Sequence, residues 1–258
     1  MSTRWSAWGL RPIVVFVATY TLVNILHEGT HALTAYALHV PSTLFHVGVN
    51  LDQARATADQ LAVIGVAGPL LSLVFGLLCW CLYWRTRRSR PGLFFLYLAM
   101  FGIGTFFGNL VSTSFVGDFS RAASALQVPM AIRYAASIVG VLSLCGLSFL
   151  VGMELRRWAP VGVQNVKAML GMIVLPVVVG TAIVLLSLLP MPTALALGRV
   201  SEASFWIFGA VGALVSRKLP SGSSPDLSVG WADVALLLAV LLAVRLMVPG
   251  IALTPPRG

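Results

Sequence analysis

The chain has 258 residues, of which 58% are hydrophobic and 10% charged, with a net charge of +9, and its mean hydropathy is +0.92. That balance excludes an ordinary soluble domain. The basic residues fall mainly in short breaks between apolar runs, where membrane topology puts them, so the positive charge is no sign of a nucleic-acid partner. Cys79, Cys81 and Cys145 lie inside apolar runs without metal-type spacing and are expected to be reduced thiols.

A bilayer core needs about 20 apolar residues per helix, and seven stretches approach that length. They run over 13–40, 61–83, 92–111, 130–155, 166–189, 194–215 and 229–248. The fold class expected is therefore all-α: a polytopic membrane bundle of about seven transmembrane helices. Residues 1–158 would form the membrane-embedded core, and 159–258 would add accessory helices. The break at 41–60, "PSTLFHVGVNLDQARATADQ", carries Leu44, Phe45, Val47 and Val49, a pattern that predicts a short hairpin or re-entrant segment near the interface. The break at 112–129, "STSFVGDFSRAASALQVP", has Asp118 as its one acid.

Arginine and lysine are denser in alternate breaks. Arg4 and Arg11, then Arg85, Arg87, Arg88 and Arg90, then Arg156, Arg157 and Lys167, and finally Arg217 and Lys218 fall on one side of a seven-span arrangement. That distribution predicts a cytoplasmic N-terminus. With His27 about 21 Å along the first span, a metal held there would lie toward the external leaflet. Arginine strongly outnumbers lysine, which hints at a GC-rich bacterial genome and hence a bacterial cytoplasmic membrane.

The first span contains "NILHEGTHALTAYAL", with Asn24, His27, Glu28 and His31 where polar atoms are expensive. In HExxH on a helix, a four-residue step advances about 400°, so His27 and His31 share a face and can hold one zinc ion. Glu28 beside them is placed to deprotonate a water bound to that metal. Asn24, one turn before Glu28, suits either an interhelical hydrogen bond or a polar wall of the site. A pair of packing histidines with a partnered glutamate is the structural alternative, and intramembrane ionisable residues favour the metal.

A catalytic zinc usually takes three protein ligands and keeps one position for water. The candidates for the third are Asp118, His39, His46, Asp52 and Asp59. His39 lies about 12 Å beyond His31 if the helix continues, and the others except Asp118 sit in a polar loop. Asp118 is favoured, because it follows a span of matching depth and a carboxylate suits a two-histidine site.

"HEGTH" in an early span, "AGPLLSL" in the next and "GNLVSTSFVGDFSRA" after a third together resemble the site-2 protease family of intramembrane zinc metalloproteases. The resemblance covers about residues 20–125. It implies that His27, His31 and Asp118 bind zinc, that Glu28 is the catalytic base, and that Asn109 positions substrate. Where the family has Pro three residues after the Asn and Gly after the Asp, this chain has Ser112 and Phe119, and Asn109 precedes Asp118 by nine positions rather than eight. No break is long enough to fold an inserted PDZ-like domain.

The function expected is hydrolysis of a peptide bond in or beside a substrate's transmembrane helix, with Zn2+ as cofactor and a membrane-embedded protein or peptide as partner in the lipid bilayer. The alternative is a membrane regulator or transporter that binds metal on the same fold without proteolysis. A transporter would spread polar groups over several broken central helices, whereas the acids that could meet a metal here sit in two places.

Overall fold

The computed structural model describes residues 5–87, 89–159, 165–215 and 227–255. The chain is mostly helical with one small sheet. Helix α1 is Trp5–Ala37, α2 is Ala58–Thr86, α3 is Pro91–Ser112, α4 is the short Asp118–Ala125, and α5 is Met130–Trp158. A helical run over 165–187 follows, containing two widened π-helical turns around Pro176. Thr193–Phe205, Gly209–Val215 and Trp231–Met247 complete the described helices.

Among the described residues, five helices are long and apolar enough to cross a membrane. They correspond to the first five spans expected. Leu70, Val74, Leu77 and Leu78 on α2 and Leu33 on α1 are exposed, and such outward apolar faces on long helices point to a membrane protein. The other two expected spans fall short. The sixth is interrupted by a 3-10 turn at Trp206–Phe208, and the seventh is a helix of 17 residues, about 26 Å at 1.5 Å per residue.

The segment after α1 is the hairpin its sequence predicts. β1 (Ser42–Phe45) and β2 (Gly48–Leu51) pair antiparallel, with Ser42 opposite Leu51 and Phe45 opposite Gly48. A third strand was not anticipated: β3 (Ile251–Leu253) pairs antiparallel with the other edge of β1, giving the order β2-β1-β3. The hairpin also docks through His46, whose Nε2 lies 2.9 Å from the Leu188 carbonyl.

The α1–α2 connection is tightly specified. Val40 N–H donates to Ala35 O at 2.8 Å and His39 N–H to Tyr36 O at 3.1 Å, with His39 at φ 59°. This is a Schellman-type ending, closed by the contact of Val40 with Ala35 and Ile64. Thr57 and Gln60 then form a capping box at the start of α2. Gln60 Nε2 also donates to Leu38 O at 3.0 Å, so one side chain satisfies the end of α1 and the start of α2.

Below the polar cluster on α1, aromatic rings bind three elements together. Phe16 and Tyr20 meet Phe101 of α3 edge-on at 4.9 and 5.1 Å, and Phe101 meets Trp206 at 6.1 Å. Such pairs add to their burial and fix relative rotation. α2 and α3 touch backbone to backbone where Gly76 faces Gly102 and Ile103.

At the chain's other level, buried Arg11 donates Nε to Asp233 Oδ2 at 3.1 Å and Nη2 to Arg90 O at 3.0 Å. Arg90 Nη2 reaches the same Asp233 oxygen at 3.0 Å, and Gly230 N–H donates to it at 2.9 Å. One carboxylate thus joins the start of α1, the α2–α3 turn and the start of the last helix. Removing one member of a buried ion pair leaves the other uncompensated. Asp233→Ala should lower stability by about 3 kcal/mol, read as a fall in the thermal midpoint of the detergent-purified protein.

Candidate metal centre

The geometry at α1 follows from its period. His27 and His31 face inward, each 5% exposed, while Leu26 and Leu33 face out. The rings lie edge to face with centroids 4.7 Å apart. His31 Nδ1 is 2.6 Å from the Ile64 carbonyl of α2. A carbonyl only accepts, so Nδ1 carries the proton and Nε2 of the neutral ring is a lone pair. His27 Nδ1 is 3.1 Å from Ser72 Oγ, whose own proton goes to Gly68 O at 2.9 Å. Here too Nδ1 donates and Nε2 is left as an acceptor.

Those two Nε2 atoms are 3.1 Å apart, and both face Asp118 Oδ2, at 3.0 Å from His27 and 3.3 Å from His31. Three acceptor atoms therefore converge while both ring protons, on Nδ1, point away from them. Among the described residues, this trio is the one group of three or more His, Cys, Asp or Glu positioned to hold a metal ion. The donor set, two imidazole nitrogens and one carboxylate oxygen, fits a divalent first-row metal, with the Nδ1 partners fixing ring orientation as metal-site histidines require.

Two glycines make the convergence sterically possible. Gly68 of α2 lies against the His31 ring, and a Cβ there would come within 2.7 Å of its Cε1. This is the small residue of "AGPLLSL", and its missing side chain lets α2 approach the histidine helix closely. Gly117, at φ 99°, turns the chain immediately before Asp118, in a region that favours residues without Cβ.

Asn109 is tied to the third member rather than to open space. Its Oδ1 accepts the Asp118 backbone N–H at 3.2 Å, and its Nδ2 donates to Thr105 O at 3.1 Å. Asn24 donates to Tyr20 O within its own helix at 3.3 Å, and neither asparagine is among the residues lining the cavity described next. Of the other ligand candidates, His39 ends α1, His46 docks the hairpin, and Asp52 pairs with Arg55 at 3.2 Å.

A cavity of about 580 Å³ opens beside the trio. Glu28, His31 and Asp118 line it together with Val49 and Leu51 of β2, Ile64 and Gly65 of α2, and Phe115 and Val116 of the turn before α4. Glu28 is 9% exposed, so a buried carboxylate sits on the wall of a space that also reaches the His31 imidazole. Sequence reading missed Ser72, the Ile64 carbonyl and Arg121, whose Nη2 donates to Asp118 Oδ1 at 3.1 Å. Ser72 lies one turn after Gly68, a spacing that was visible but uninformative until the partner helix was placed.

No protein-family model, curated protein or solved structure matches the chain. The resemblance to site-2 proteases rests on the motifs.

Loss of the Ser72 acceptor in Ser72→Ala should weaken metal binding about 10- to 100-fold, as for other outer partners of metal-site histidines. Gly68→Ala should displace the His31 ring and abolish stoichiometric metal. Metal content after size-exclusion chromatography, measured by mass spectrometry, checks both.

Proposed function

We propose that this chain is an intramembrane zinc endopeptidase of the site-2 protease type, which hydrolyses a peptide bond in or next to a substrate's transmembrane helix. The observation that carries the reading is the meeting of His27 Nε2, His31 Nε2 and Asp118 Oδ2 within 3.3 Å of one another on a cavity that Glu28 also lines. Asp118 is the residue on which the motif-based reading depended most.

Bound to that trio, zinc would supply Lewis acidity and bring a water's pKa toward neutrality. The chain's own groups then divide the work. Glu28 takes the proton from the attacking water as its oxygen adds to the scissile carbonyl carbon, and returns it to the amide nitrogen as the C–N bond breaks. Ser72 and the Ile64 carbonyl keep both rings in the Nδ1–H tautomer. Asn109, through the Asp118 N–H, keeps the start of α4 against the histidines.

A helical substrate hides its scissile bond in its own hydrogen bonds and has to be drawn out. Residues 44–50, in the hairpin, are the stretch that would receive it as a strand. β1 is flanked on both sides, so within that stretch β2 offers the open edge among the described residues, and Val49 and Leu51 place it on the cavity wall. Strand addition at this edge would present an extended backbone beside Glu28.

The reading includes a multi-pass chain in a bacterial cytoplasmic membrane with its N-terminus in the cytoplasm. The joining of Arg11, Arg90 and Asp233 supports it, because the starts of the first and last described helices and the α2–α3 turn meet at one level. The arginine distribution puts that level inside.

Glu28→Gln should keep its zinc yet cleave a reconstituted single-span peptide with a mid-span Gly-Pro about 10²- to 10⁴-fold more slowly. Equal cleavage by wild type and variant would overturn the mechanism.

A further inference from the structure

We propose that Arg121 is a positioning residue for the metal centre: its guanidinium holds Asp118 Oδ1, so the carboxylate presents Oδ2 alone to a metal shared with His27 and His31. The inference rests on the metal reading above.

The two oxygens of Asp118 have separate partners. Oδ2 faces both imidazoles at 3.0 and 3.3 Å, and Oδ1 accepts from Arg121 Nη2 at 3.1 Å. The Asp118 side chain is 13% exposed and that of Arg121 is 59% exposed, so the cation reaches inward from the cavity to a largely buried carboxylate. Arg121 lines the same cavity.

The backbone makes this reach reproducible. Arg121 is three residues after Asp118 on α4, and its N–H donates to Gly117 O at 3.0 Å. Asn109 holds the Asp118 N–H from α3. Asp118 is thereby fixed from two directions, its amide by α3 and Oδ1 by its own helix, with Oδ2 left facing the histidines.

Coordination chemistry gives the arrangement a purpose. A carboxylate with both oxygens free can chelate a divalent cation and take two coordination positions. A catalytic centre needs three protein ligands and an open position. A charge-assisted hydrogen bond on Oδ1 competes with chelation and favours the one-oxygen mode. An i,i+3 ion pair whose cation is exposed to solvent ordinarily adds little stability, so the effect of Arg121 belongs in the coordination sphere and not in the melting temperature.

Wild type, Arg121→Gln and Arg121→Lys, purified in detergent and stripped by a chelator, are titrated with zinc against a competing indicator and with cobalt while visible absorption is recorded. Arg121→Gln should bind zinc about 10- to 100-fold more weakly and show weaker cobalt bands, as expected when coordination number rises, with an unchanged thermal midpoint. Arg121→Lys, which keeps a cation on Oδ1, should retain the wild-type spectrum. Wild-type affinity and spectrum in Arg121→Gln overturn this inference alone. Wild type that takes up neither zinc nor cobalt overturns the metal reading, and this inference with it.

Discussion

Two imidazole lone pairs and a carboxylate oxygen repel one another when no proton or cation lies between them. In this protein they are brought to within 3.3 Å by two helices, α1 and α4, in surroundings where water cannot readily screen them. The second nitrogen of each ring is occupied, by the Ile64 carbonyl and by Ser72, so the neutral rings cannot turn a proton toward the cluster without breaking a buried hydrogen bond. The cluster calls for a proton or a cation between its members, and much of the neighbouring structure fixes where those members sit.

α2 is central to that holding. Its successive small or short residues, Gly65, Gly68, Ser72 and Gly76, lie on one face, where they meet in order α4, the His31 ring, the His27 ring and α3. Bulk at any of them would open a gap on one side and a clash on the other, since helix interiors tolerate little change in volume. In lipid, where there is little hydrophobic drive for helices to associate, such close approach supplies the dispersion contacts that do. The helix that brings no ligand to the cluster thus sets the distances among those that do.

What was legible in the sequence had short-range causes. The pairing of His27 with His31 follows from helical period, the hairpin from alternation after a capped helix, and five helices from apolar length. Asp118 was legible because acids are so few in its break. The rest depends on contacts between distant segments. Nothing local to Ile251–Leu253 says that it will pair with β1, and nothing local to Ser72 or Ile64 says that a histidine ring will seek them. Asn109 shows the limit of transferring roles by motif: it sits one position farther from the acid than in the family it resembles, and its side chain meets the Asp118 amide. The 3-10 interruption at Trp206 was likewise hidden, because an apolar run reads alike whether or not its helix continues.

The sheet joins residues 42–45 to residues 251–253, so its strands come from near the two ends of the chain. During synthesis β1 and β2 can pair early, but β1 keeps one bare edge until the last helix has been made and the segment beyond it has returned to the level of the hairpin. The sheet therefore closes only after the helix over Trp231–Met247 has been made. Its closure records that every intervening helix has reached its place, and a chain cut short before that point would carry the histidines and the carboxylate while still presenting β1 to whatever strand came first.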